Sequence, residues 1–147
     1  MYDYPDITDE IFIESEHGWS RFGGVICRGK QKIIGIKEYK LKCTSEHKLY
    51  IDNQWVKAEE LSHIKYKNAS TVYDILNIDD NNSFYVYTKN NKILVHNCLI
   101  LDEFAFIAPS CILGDGTVTI KNTETGEIKE YTLEMLYNEI NNFNNNN

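Results

Sequence analysis

The chain has 147 residues, of which 42% are hydrophobic and 12% aromatic, enough apolar material for one packed domain and too much for wholesale disorder. A formal net charge of −7 leaves no basic stripe to neutralise phosphates, so no nucleic-acid partner is expected. The opening Met-Tyr-Asp-Tyr-Pro-Asp lacks the basic and apolar regions of a signal peptide, and no apolar run reaches the roughly 18 residues of a membrane span.

Taken in chain order, short runs rich in Ile, Val, Tyr and Phe are bounded by Gly, Asn, Asp or Ser. They predict strands over 10–15, 19–27, 31–40, 49–51, 54–57, 71–78, 84–88, 92–95, 117–121 and 127–131. Trp55-Val56-Lys57-Ala58-Glu59-Glu60-Leu61 reads as a strand running into one helical turn. Leu133, Leu136, Tyr137 and Ile140 have the spacing of one helix face, which predicts a helix over 133–140 with Thr132 as its N-cap. The Asn-rich tail 141–147 is expected to fray. The fold class is therefore all-β with one short helix.

Four cysteines remain to be explained: Cys27, Cys43, Cys98 and Cys111. Nothing suggests secretion, so a cytoplasmic protein with reduced thiols is expected rather than a disulfide framework, and no membrane partner. Cys43 and His47 are spaced C-x3-H, but no C-x2-C or H-x3-H partner follows, so neither a metal nor any other cofactor is expected. Cys27 and Cys43 fall in strand-like runs and are expected in the core. His17 and His63 belong to no motif.

Chemistry enters at Val95-His96-Asn97-Cys98, which closes an apolar run. An Asn side-chain amide can attack its own carbonyl carbon, cutting the following peptide bond and leaving a succinimide. A preceding His, with a pKa near ~6.5, suits the proton transfers this needs. The thiol that follows is a nucleophile able to receive an acyl group. By itself this pattern is weak.

Three motifs occur together, however. Val72-Tyr73-Asp74-Ile75, through Asn82-Ser83-Phe84, to Lys92-Ile93-Leu94-Val95-His96-Asn97-Cys98 resembles the C-terminal splicing motif of inteins. Cys43-Thr44-Ser45-Glu46-His47, followed by Gln54-Trp55-Val56-Lys57-Ala58-Glu59-Glu60-Leu61, looks like their T-x-x-H motif and its downstream segment. Cys111-Ile112-Leu113-Gly114-Asp115-Gly116-Thr117-Val118 looks like the motif that opens an intein. The resemblance spans 1–97 and 111–147 and implies the horseshoe-like fold of the Hint superfamily, shared by inteins and Hedgehog autoprocessing domains, with no endonuclease insert. The chain departs from the family at Asn82, where many inteins carry a His two residues before the Phe.

The order is permuted. An intein begins at its Cys and ends at its Asn, whereas here the start-like Cys111 follows the end-like Asn97. Placing 111–147 ahead of 1–97 restores the usual order. Met1 then reads as the start of a separately made C-fragment, as in atypically split inteins with a short N-piece. Between the halves, residues 98–110 run Cys-Leu-Ile-Leu-Asp-Glu-Phe-Ala-Phe-Ile-Ala-Pro-Ser. An apolar run ending in Asp102-Glu103 resembles a Walker B motif, and the segment looks like the large terminase subunit of tailed phages, an intein host. No G-x-x-x-x-G-K-[ST] loop is present, so the chain is not itself that ATPase.

The resemblance implies a role for each matching residue. Cys111 attacks the carbonyl of Ser110 to give a thioester, and His47 donates a proton to the departing amide nitrogen, oriented by Thr44. Asp74 sits between the two cysteines and tunes their thiols. Cys98 takes the acyl group, and Asn97 cyclises with help from His96. The scissile junctions are Ser110–Cys111 and Asn97–Cys98. The implied partners are the complementary intein fragment, in the same chain or in trans, and the terminase host. Three other readings stand beside this one: halves of two different inteins flanking a small exon, a Hedgehog-like autoprocessing domain, and a non-catalytic β module that binds a protein.

Overall fold

A computed structural model of the chain describes residues 11–76, 78, 83–88, 91–96, 112–113 and 116–146, with the side chains of 112, 113 and 143–146 left aside. The fold is all-β with one short helix. The strands are β1 Ile11–Ser15, β2 Gly18–Ser20, β3 Gly24–Gln31, β4 Ile34–Ile36, β5 Leu41–Cys43, β6 Lys48–Ile51 and β7 Gln54–Lys57. After a 3-10 turn at Ala58–Glu60 come β8 His63–Lys65, β9 Ser70–Leu76, β10 Ser83–Thr88, β11 Asn91–His96, β12 Ile112–Leu113, β13 Thr117–Asn122 and β14 Ile128–Thr132. Helix α1 spans Leu133–Asn146.

These strands form two sheets. One has the order β2-β1-β13-β10-β11-β6-β7, with β14 added onto β13; the other has the order β3-β9-β12-β5-β4-β8. Among the described residues every pairing is antiparallel. Both sheets contribute to one core, with Ile13, Leu49 and Val86 from the first and Ile36, Cys43 and Ile75 from the second. Along β1 burial alternates, so Ile11 and Ile13 point inward with Ser15, while β9 is buried at four successive residues and lies in the interior of its sheet. Two strands from the C-terminal part of the chain are not at the edges: β13 lies between β1 and β10, and β12 between β9 and β5. Segments distant in sequence are thus interleaved.

Local chemistry fixes the turns. Asp52 and Asn53 link β6 to β7 with φ of +49° and +67°, and Ile51 pairs with Gln54 across them. Two successive positive φ values make the two-residue turn whose twist matches a hairpin, and Asp and Asn tolerate that region better than most residues. Between β13 and β14 the Asn122 side chain accepts hydrogen bonds from the backbone N–H of Glu124 (2.9 Å) and Thr125 (3.1 Å). The Thr132 hydroxyl accepts from the N–H of Met135 at 3.1 Å, which is the expected N-cap. Helix α1 then buries Leu133, Leu136 and Ile140, and the Tyr137 ring lies 5.3 Å from that of Tyr73 on β9.

The differences from expectation have physical causes. The run 19–27 is broken at Arg21–Gly23, and 31–40 contains only the short β4 followed by a turn at Lys37–Lys40, in which Lys40 takes φ of +55°. The two-to-three-residue strands β5, β8 and β12 carry too little alternation to be read locally and exist because neighbouring strands supply their hydrogen bonds. Residues 141–146 do not fray but continue α1. Once the capped first turns are packed, each further residue extends the helix at little cost, even when it is Asn. Among the described residues no helix is long and apolar enough to cross a membrane.

Candidate functional site

The T-x-x-H segment begins where β5 ends. The N–H of His47 turns back to the carbonyl of Thr44 at 3.2 Å, and the carbonyl of His47 accepts from the N–H of Ala58 at 2.7 Å. A third bond, from the N–H of Glu59 to the carbonyl of Ser45 (3.1 Å), clamps this turn against the 3-10 turn that follows β7. Ala58 is fully buried at the clamp, which explains a small residue there. As a result His47 is only 1% exposed and Thr44 only 7%. Neighbouring Cys43 is buried as well, and burial pushes its thiol up to about 12, so it is an inert core thiol rather than a nucleophile. Cys27 is half-buried and also free.

Asp74 stands in the middle of β9, 4% exposed. Burial raises its pKa from 3.8 to about 7, against the opposing effects of the Arg28 guanidinium and of the backbone N–H of Ile75. A carboxyl group poised near neutral pH can both hold and release a proton, which suits a relay.

Strand β12 links the two regions. Ile112 pairs with Cys43 on one side and with Tyr73 on the other, and Leu113 pairs with Val72. The residue that follows Cys111 in the chain is therefore matched to the residues that immediately precede Thr44 and Asp74. His96 arrives from the other sheet, as the last residue of β11, where it pairs with Ser83. Val95 pairs with Leu49, so His96 and His47, which leads into β6, occupy the same end of the β6–β11 pair. The half-buried His96 ring meets Trp55 of β7 edge to face, with centroids 5.3 Å apart and planes at 88°. Tyr50 in turn tilts onto Trp55 at 5.1 Å, a cross-strand pair of the β6–β7 hairpin.

Of the residues expected to act, Thr44 and His47 lie in the turn between β5 and β6, Asp74 lies on β9 with β12 between it and β5, and His96 ends β11, which pairs with β6. Asn97, Cys98, Ser110 and Cys111 lie outside the described residues, as does Asn82. His63, which belongs to no motif, is tied to the carbonyl of Leu61 at 2.6 Å. Sequence reasoning passed over Arg28, because an Arg beside a Gly carries no signal until the register is known. Neither a family model, nor a curated protein, nor a solved structure matches the chain.

Proposed function

We propose that the chain is an autocatalytic protein-splicing domain of the intein type, with the horseshoe fold of the Hint superfamily and its two halves in permuted order around residues 98–110. The observation that carries the reading is the register at Ile112. It threads the strand after Cys111 between the strand leading to Thr44 and His47 and the strand bearing Asp74. An opening Cys of an intein needs such neighbours, because its thiol must attack the preceding carbonyl while the amide nitrogen receives a proton.

The chemistry then runs within one chain. The Cys111 thiol adds to the Ser110 carbonyl, the C–N bond breaks, and His47 protonates the released amine of Cys111. The Cys98 thiol displaces that of Cys111, moving the acyl group and closing a thioester ring over 98–110. The Asn97 side-chain amide attacks its own carbonyl carbon, with His96 assisting, and frees the amine of Cys98. That amine attacks the thioester, and an amide bond closes a cyclic peptide while the Cys98 thiol is regenerated. The reaction is a single turnover and calls for no cofactor. The host segment resembles a phage terminase large subunit, so on this reading the reaction belongs to the cytoplasm of an infected bacterium.

The test separates the two junctions. Asn97→Ala is expected to block the break after residue 97 yet still permit dithiothreitol-induced cleavage before Cys111, read by intact mass. Cys111→Ala is expected to abolish thiol-induced cleavage and leave only a slow break after Asn97. Identical products from both variants and the parent would overturn the assignment.

A further inference from the structure

We propose that Arg28 is a positioning residue for Asp74, orienting the buried carboxyl and favouring its ionised form by charge; the proposal rests on the splicing reading above. Ile26 of β3 lies directly opposite Asp74 of β9. Arg28, two residues further along β3, is therefore on the same face and one diagonal step from the carboxylate. The ladder is interrupted at that point. Cys27 pairs with Tyr73 and Lys30 with Thr71, so β3 carries one more residue than β9 over the interval. Gly29 supplies the bulge with φ of +73°, a conformation that glycine adopts without strain. The Gln31 side chain donates to the carbonyl of Arg28 at 3.2 Å and pins the distorted backbone.

The bulge leaves the Arg28 guanidinium 3.9 Å from Asp74 Oδ2, with 27% of the Arg28 side chain exposed and 4% of the Asp74 side chain. At that distance the pair acts through charge rather than through a short hydrogen bond. The strands flanking Asp74 present few other titratable groups. β3 carries Cys27 and Lys30 besides Arg28, β12 carries none, and β5 beyond it carries Lys42 and Cys43, with His47 following. Among the described residues Arg28 is the cation in ion-pair contact with Asp74. It opposes the desolvation that drives the carboxyl toward its neutral form. Because part of the Arg28 side chain meets solvent, a small cation can reach the place left when it is removed.

The experiment uses the full chain and reads dithiothreitol-induced cleavage before Cys111 by mass. Arg28→Ala should slow that cleavage about 10-fold or more, Arg28→Gln equally, and Arg28→Lys by no more than about 3-fold, since Lys keeps the charge. Millimolar guanidinium should restore Arg28→Ala in part and leave Asp74→Asn unaffected. In an Asn97→Ala, Cys111→Ala background, the Asp74 carboxyl should titrate at a higher pH by carbon-13 NMR when Arg28 is Ala. Parent-like cleavage by Arg28→Ala, or equal losses in Ala and Lys variants with no guanidinium response, overturns the proposal. So does an Asp74 titration that Arg28→Ala leaves unmoved. A parent chain that never cleaves before Cys111 overturns the splicing reading and Arg28's role within it, while the NMR titration still reports whether the charge pair exists.

Discussion

Asp74 is held between β3 and β12 with its pKa raised from 3.8 to about 7. Between those values the folded chain keeps a proton that the unfolded chain releases. The contribution to stability is therefore complete below about pH 4 and is lost as pH rises through 7, a swing on the order of 4 kcal/mol. Asp74→Asn, which has no charge to desolvate, should flatten this decline and raise the urea midpoint at pH 8 by the equivalent of roughly 1–3 kcal/mol. A variant less stable than the parent at pH 8 would contradict the burial argument. The same variant should impair cleavage before Cys111, so stability and reaction would move in opposite directions, as expected for a functional residue. The two histidines sit in different surroundings, His47 locked in a buried turn and His96 half-buried against Trp55. His47→Ala should slow cleavage before Cys111 by about 10²–10⁴-fold and His96→Ala should mainly slow the break after Asn97. Equal losses at both junctions from either change would point to misfolding. Thr44, His47, Asp74 and His96 were all legible as motif residues. Arg28 was not, because its contact depends on a bulge that no local pattern announces.

Elements with strong local chemistry were legible from sequence. The β6–β7 and β10–β11 hairpins are rich in branched and aromatic residues, and the first carries a turn pair suited to positive φ. The helix start was legible for the same reason, since Thr132 caps a run with clear 3.6-residue spacing. Thr132→Ala should cost about 1 kcal/mol in chemical denaturation, measured with the junctions inactivated. A loss below ~0.3 kcal/mol would mean that the cap is redundant with the bond from Leu133 N–H to the carbonyl of Gly116, 2.9 Å long. The short strands escaped notice because their stability is borrowed from both neighbours. β12, for example, has two residues and two partner strands. The end of α1 escaped for the opposite reason. An Asn-rich composition suggests a loose tail, whereas the packed face of Leu133, Leu136 and Ile140 lets the helix continue beyond it.

At the scale of the molecule, the telling feature is the interleaving of distant segments. Strands β12 and β13 come from the region after residue 110, yet each lies between strands drawn from residues 11–96. Chain order gives no hint of this. Among the described residues, those after 111 and those before 97 share the same two sheets, an arrangement that the permuted reading expects. A unit whose two halves share both sheets can bring the ends of a linking segment to one place, which acyl transfer between them requires. The most direct test is the mass of the purified, folded parent chain followed over time under reducing conditions. The splicing account predicts loss of the intact mass and the appearance of three species: residues 1–97 ending in a succinimide or its hydrolysis product, residues 111–147, and residues 98–110 lighter by one water than the linear peptide, as a cyclic product must be. An intact mass that persists unchanged after prolonged folding would contradict the account.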